Sequence, residues 1–261
     1  LNKSQLISIA GFLGLFFILY FGCSTTPKKY KLIEKSRAAQ QESTSAIVLI
    51  REAKNSLEKD KQDLIQVLEH ELEISSEEEK TAVLKKISAT WYSYGFGIIA
   101  GYFAEQIAEI EQTAESWGIA GTSYTLGIGQ SKDEKHRSYA LQRGVKTLEN
   151  AISIDPKNVE YQLNKAILLA QNPPAENPMK GIQELLQLNS SFPDNVSILV
   201  QLARFGMQTG QYDKAVNRLE RALSLDPKNK KASCLLADAY KQLGQIEQAE
   251  LFSAKCDTIN L

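Results

Sequence analysis

The chain has 261 residues, of which 43% are apolar and 23% charged, and its net charge at pH 7 is −1. That is the make-up of a globular chain of one or two domains, and the interspersed, balanced charge excludes the basic face that nucleic-acid binding requires. Three cysteines are too few for a disulfide scaffold, and no CxxC or Cys/His cluster points to zinc.

The N-terminal stretch departs from this soluble pattern. No charge occurs from Ser4 to Pro27, and Leu6 to Gly22 (LISIAGFLGLFFILYFG) is almost wholly apolar. At 1.5 Å per residue such a run reaches about 26–36 Å, enough for a hydrocarbon core of about 30 Å. A single transmembrane anchor is therefore expected within residues 4–27, with Tyr20 at the interface. An alternative is that Lys3, the apolar run and Phe21-Gly22-Cys23-Ser24 resemble a bacterial lipoprotein signal, with Cys23 lipidated and residues up to 22 removed. Tyr20 stands where that motif usually has leucine, so the uncleaved anchor is the preferred reading. Lys28, Lys29, Lys31, Lys35 and Arg37 after the anchor favour a cytoplasmic domain. The signal-like order of the N-terminus favours export, and the periplasmic side is the reading taken here.

Residues 28–42 read as a polar linker. Ser43 to Lys54 (Ile47, Val48, Ile50, Ala53) and Leu57 to Leu72 (Leu57, Leu64, Leu68, Leu72) read as two amphipathic helices, a hairpin within 43–80. Ser75-Ser76 before Glu77-Glu78-Glu79 is a capped helix start. Next, Leu84, Ile87 and Trp91 mark a helix that stops at Gly95, and Ala100 and Ile107 mark its return. A further pair begins at Trp117. Its second helix holds Gly144 and Ala151, closes at Asp155-Pro156, and is separated from Tyr124 by about eleven extra residues including GIGQSKDEKHR, an expected turn insertion. The pair from Val159 carries a shorter insertion, with Asn177-Pro178 as the expected start of its second helix.

From Val196 the chain repeats every 34 residues. Leu202-Ala203 answers Leu236-Ala237, Gly210 answers Gly244, Ala215 answers Ala249, and Ala222 answers Cys256. In each copy apolar residues spaced by three and four precede a glycine stop, and a helix with a small residue at a close contact follows. Asp226-Pro227 ends the first copy, since proline disfavours helical geometry in the residue before it. This pattern resembles the tetratricopeptide repeat (TPR) family, and Trp117-Gly-Ile-Ala120-Gly121-Thr-Ser-Tyr124 resembles its W-x2-L-G-x2-Y opening, with alanine for leucine. The fold class expected is all-α, a TPR-like solenoid of helical hairpins preceded by one transmembrane helix. About five units would cover 81–261.

The resemblance implies a groove lined by the first helix of each unit, at Lys85, Ala89, Tyr92, Thr122, Leu163, Ile167, Val200, Arg204, Lys231, Asp238 and Lys241. That mixed surface suits a peptide or helix better than a metabolite. The lysine-asparagine framework of TPR domains that clamp a chaperone C-terminus is absent. No catalytic motif holds: Gly95-Phe-Gly97 and Gly127-Ile-Gly129 are read as turns, and His70 and His136 are too far apart in sequence to act together. Trp91 and Trp117 are read as core. No cofactor, metal or small-molecule substrate is expected, and an enzyme is only a remote alternative. The function expected is a non-catalytic, membrane-anchored scaffold, an accessory subunit of a bacterial cell-envelope complex, by analogy with single-pass TPR proteins of protein export. The lipoprotein alternative would act in envelope assembly. Cys234 and Cys256 are expected as separate free thiols, because packed helix axes lie about 8–10 Å apart.

Overall fold

The computed structural model describes residues 46–258, with Asn2 and Gln5 besides. The expected anchor, Gln5 apart, and Cys23 lie outside the described residues, and within them no helix is long and apolar enough to cross a membrane. The chain divides into two compact units, Leu1–Arg51 and Glu52–Leu261. In the first, residues 46–51 are helical, as the amphipathic pattern predicts.

The second unit is helical throughout its described length. After residues 52–56, which are helical, come α1 (Lys59–Ile74), α2 (Glu77–Ser93), α3 (Gly97–Glu111), α4 (Ala114–Gln130), α5 (Glu134–Ile154) and α6 (Val159–Gln171). Then follow α7 (Lys180–Ser191), α8 (Val196–Gln208), α9 (Tyr212–Leu225), α10 (Lys230–Gln242) and α11 (Ile246–Thr258). In α1 the buried stripe is Ile65 and Leu68; Leu64, expected inside, is exposed. The start of α2 is a full capping box, with Ser76 accepting from the Glu79 amide and the Glu79 side chain accepting from the Ser76 amide.

From α2 onward the helices form five consecutive antiparallel pairs, joined by two recurring local structures. Inside three pairs the turn is a glycine in the left-handed region: Gly95 at φ 84°, Gly210 at 73° and Gly244 at 73°. The amide after each glycine reaches back five residues, Phe96 to Trp91, Gln211 to Gly206 and Gln245 to Tyr240, which satisfies a terminal carbonyl. At three of the four joints between pairs the sequence is Asp155-Pro156-Lys157-Asn158, Phe192-Pro193-Asp194-Asn195 or Asp226-Pro227-Lys228-Asn229. Proline ends one helix, and the asparagine side chain accepts an amide of the next helix's first turn: Glu160, Ile198 or Ala232.

Packing uses two different devices. In the C-terminal half, alanines at zero exposure (Ala203, Ala215, Ala222, Ala232, Ala239) let helices approach, and Leu199, Leu219, Leu236 and Tyr240 fill the rest. Elsewhere glycines make contacts closer still, as at Gly181 of α7, where an added methyl group would lie 2.2 Å from the Ala170 nitrogen of α6. A methyl group added at Gly127 would lie 2.2 Å from the Ile98 nitrogen, and one at Gly97 would lie 2.8 Å from the Gly127 Cα. The backbones of α3 and α4 therefore touch.

Several expectations are corrected here. The residues GIGQSKDEKHR are not a long turn: GIGQ completes α4, EKHR begins α5, and only Ser131–Asp133 connects them. Gly127 is thus a helix-contact glycine rather than a turn glycine. His136 is likewise in the first turn of α5, not a loop. Helix α7 begins at Lys180, because Asn177–Met179 forms a turn of its own before it. Most sharply, Cys234 and Cys256 are joined in a disulfide, with Cα atoms 4.9 Å apart. The free-thiol expectation compared an axis separation with a Cα separation. Each Cα stands about 2.3 Å off its helix axis. Facing Cα atoms on axes about 8–10 Å apart are therefore only about 3.4–5.4 Å apart, which overlaps the bonding range of about 4.4–6.8 Å.

Candidate functional site

A concave feature of the second unit lies against α2, α3 and α4. It is a cavity of about 660 Å³ lined by Lys85, Ser88, Ala89 and Tyr92 of α2, Ala104, Ile107 and Glu111 of α3, and Glu115, Ser116, Ile119 and Ser123 of α4, with Thr113 at the joint. A shallower hollow shares Tyr92, Glu115, Ile119 and Ser123 and extends over Thr122 and Leu126 to Tyr161 of α6. Together they form one groove crossing the first helices of three successive pairs.

Its apolar contacts are presented, not buried. Tyr92 is 51% exposed, Ile119 55% and Leu126 45%. Ile119 and Leu126 are two helical turns apart on one face of α4, about 10 Å. At one end Lys85 is neutralised by Glu111 at 2.6 Å. Glu115 is exposed and has no ion-pair partner among the described residues.

Of the residues expected in the groove, Lys85, Ala89, Tyr92 and Thr122 are gathered here. Leu163 and Val200 are corrected to core positions. Leu163 packs with Leu185, Leu188 and Ile198, and Val200 with Leu219 and Leu236, because neighbouring helices close over short apolar side chains. Ile167 is half-buried against the same core as Leu163. Lys231, Asp238 and Lys241 are exposed on α10. Arg204 is half-buried over the Phe205 ring at 5.0 Å, and burial lowers its pKa. Burial also lowers Lys231, helped by the nearby Arg204 charge. These C-terminal positions do not line the same groove.

Trp91 and Trp117 are buried, as expected of core residues. His70 is exposed beside Glu73, and His136 stands near Glu52 at 3.6 Å, so the two histidines belong to different surroundings.

Behind the groove floor lies a polar cluster that the sequence reading missed. Glu105 of α3, only 3% exposed, accepts from the Tyr124 hydroxyl of α4 at 2.9 Å and from Arg143 Nε of α5 at 2.9 Å. A second bond from Arg143 Nη2 to the other carboxylate oxygen makes the pair bidentate. Burial raises the Glu105 carboxyl above its ordinary range, opposed by Arg143 and the Tyr124 bond. Burial likewise lifts Tyr124 well above an ordinary phenol and Tyr139 to about 12, so both stay neutral donors. The signal was available: Glu105 is a lone acid in the middle of GIIAGYFAEQIA, a stretch buried on nearly every side.

Stacked helix pairs with glycine turns, Pro-x-Asn joints and a groove across the first helices define a helical-repeat solenoid. A tetratricopeptide repeat family model matches residues 206–252. Anaphase-promoting complex subunit 3 of Dictyostelium discoideum is 33% identical over 95 residues, which cover 36% of this chain and 10% of that protein's length. Among solved structures, TTC0263, a thermophilic TPR protein of Thermus thermophilus, aligns with a TM-score of 0.52 at 16% identity, covering 77% of this chain and 98% of that one. MamA aligns at a TM-score of 0.45 and 16% identity over 68% of this chain and 90% of that chain, a likeness too slight to inform the fold. Residues 206–252 thus carry tetratricopeptide repeat sequence, and the fold of the second unit is that of a TPR solenoid.

Proposed function

We propose that this chain is a non-catalytic adaptor, anchored in a bacterial membrane through residues 4–27, whose α2–α4–α6 groove holds a protein subunit of a cell-envelope complex. The groove carries this reading: it presents Tyr92, Ile119 and Leu126 to solvent, and uncovered apolar side chains beside the single charge of Glu115 are what a protein partner covers. The apolar run from Leu6 to Gly22 supports the anchor. The Cys234–Cys256 bond supports a repeat domain on the oxidising, exported side of the membrane.

The test is co-purification in mild detergent, comparing the full chain with Tyr92→Ala and Ile119→Asp and identifying partners by peptide sequencing. Envelope proteins held by the native chain and lost from both variants support the adaptor. Retention by both variants refutes the groove as the binding site. The Phe21-Gly22-Cys23-Ser24 sequence supports a second reading, a lipoprotein acylated at Cys23. An N-terminal peptide beginning at a diacylglyceryl Cys23 in mass spectrometry would replace the transmembrane anchor with that one.

A further inference from the structure

The groove has an unusual hydrogen-bonding state. Every hydroxyl of its serines and threonines already donates inside the protein. Ser88 donates to the Ala100 carbonyl at 2.9 Å, Thr122 to Gly118 at 2.9 Å, and Ser123 to Ile119 at 2.8 Å. Ser116 donates to the Thr113 carbonyl at 3.0 Å, which leaves the Thr113 hydroxyl as donor in the 2.8 Å contact between the two side chains. Lys85 is engaged by Glu111. No asparagine or glutamine lines either hollow. Beyond the Lys85 ammonium, an extended peptide laid here would find only the Tyr92 and Tyr161 hydroxyls as uncommitted side-chain donors. Its remaining buried carbonyls would lose water without replacement, which weakens binding at each one.

A helix avoids that cost, because its backbone groups bond to one another. The groove also supplies what a helix needs: apolar contacts at Ile119 and Leu126, seven residues apart on α4, with Tyr92 facing from α2. Of the groove's three charges, Lys85 and Glu111 cancel and Glu115 remains. Glu115 stands one turn before Ile119, so the occupant's cation must lie within about a turn of the side chain that covers Ile119.

We infer that the occupant of the groove is an amphipathic helix of the partner protein, with apolar residues at positions i, i+3 or i+4 and i+7 and a lysine or arginine beside that stripe that pairs with Glu115. This rests on the adaptor reading and specifies the partner's chemistry. The occupant's orientation along the groove follows from where its cation lies.

The experiment is selection of randomised 20-residue peptides, displayed on phage, against the immobilised full chain in lipid nanodiscs, with counter-selection on the Ile119→Asp chain. All three substituted positions are exposed, and far-ultraviolet circular dichroism checks that each variant keeps the native helix content. The expected winners lack internal proline, repeat apolar residues with a helical period and carry a basic residue beside the stripe. A synthetic winner should gain helicity on binding and lose at least 10-fold in affinity against Ile119→Asp or Leu126→Asp. It should weaken about 5-fold or more against Glu115→Lys, and recover when its own basic residue becomes glutamate. Winners that are proline-rich or bind without gaining helicity, yet still fail on Ile119→Asp, overturn the helix and leave the groove reading standing. Winners indifferent to Ile119→Asp and Leu126→Asp, or no enrichment over the counter-selection, overturn both.

Discussion

The disulfide at the end of the solenoid should hold α11 in place almost alone. Helix α11 has a single buried residue, Ala249, and is tied to α10 by a stack of Phe252 on Tyr240 at 5.8 Å and the bond from Cys256 to Cys234. Ile246 and Leu251 face solvent. The cross-link closes a loop of 22 residues. The chain-entropy relation gives about −2.1 − 1.5R ln 22, or roughly −11 cal/mol/K, for that loop, which is about 3 kcal/mol at 25 °C. Because each repeat contacts only its neighbours, that loss on reduction should fall on the last pair and not on the whole domain. Hydrogen exchange read by mass spectrometry, with and without a thiol reductant, makes the comparison, and Cys234→Ser with Cys256→Ser repeats it without reagent. Residues 246–258 should lose protection by about two orders of magnitude, while α2 to α5 stay unchanged. Two free thiols in the denatured, non-reduced protein, or protection of α11 unaltered by reduction, would refute the reasoning.

Other expectations concern the close contacts. Gly127→Ala should cost about 3 kcal/mol, since the new methyl meets the Ile98 backbone, which cannot move aside like a side-chain end. Gly129→Ala, two residues on with open space around it, should gain about 0.5–1 kcal/mol from helix propensity; similar urea midpoints for the two variants would contradict the packing. Ala215→Leu should destabilise by about 1–3 kcal/mol through overpacking, and an unchanged melting temperature would count against the register of α8 on α9. Arg143→Met should cost about 3–5 kcal/mol at pH 8, because it leaves Glu105 buried without a counter-charge. Losing Arg143 raises the Glu105 pKa further above its unfolded value of about 4.3. A raised group contributes fully below the unfolded pKa and loses that contribution as pH climbs through the folded one, so the deficit of Arg143→Met should be largest at pH 8 and shrink toward pH 4. Equal deficits at both pH values in urea titrations would reject the buried-carboxylate account.

What the sequence disclosed tracks how local each cause is. The ends at Ile154 and Leu225, the left-handed Gly210 and Gly244, and the cap at Ser76 each depend on two to five adjacent residues, and all were legible. Leu163 and Val200 were misplaced because a period assigns a face, whereas burial depends on how far the next helix overlaps it. Gly127 was misread because a glycine looks the same in sequence whether it frees a dihedral or lets Ile98 come close. The groove was legible in part, through Lys85, Ala89, Tyr92 and Thr122, since the repeat fixes which side of a first helix looks outward. Its donor state was not, because whether Ser88 spends its hydrogen on Ala100 depends on a contact between α2 and α3.

The close contacts around the groove bear on its shape. In the N-terminal half, Gly97 against Gly127 fixes α3 on α4 at backbone contact, and Glu105 ties α3 to Tyr124 of α4 and Arg143 of α5 by directional bonds. Ala104 and Ile107, on the groove floor, flank Glu105 in α3. The same residues that hold α3, α4 and α5 together therefore set the groove's width before any partner arrives. A site ordered in advance spares its ligand the cost of ordering it. That accounts for a buried carboxylate in a helix that could have been apolar throughout: it adds little net stability, but it fixes one arrangement of three helices, and the groove is the surface that arrangement presents.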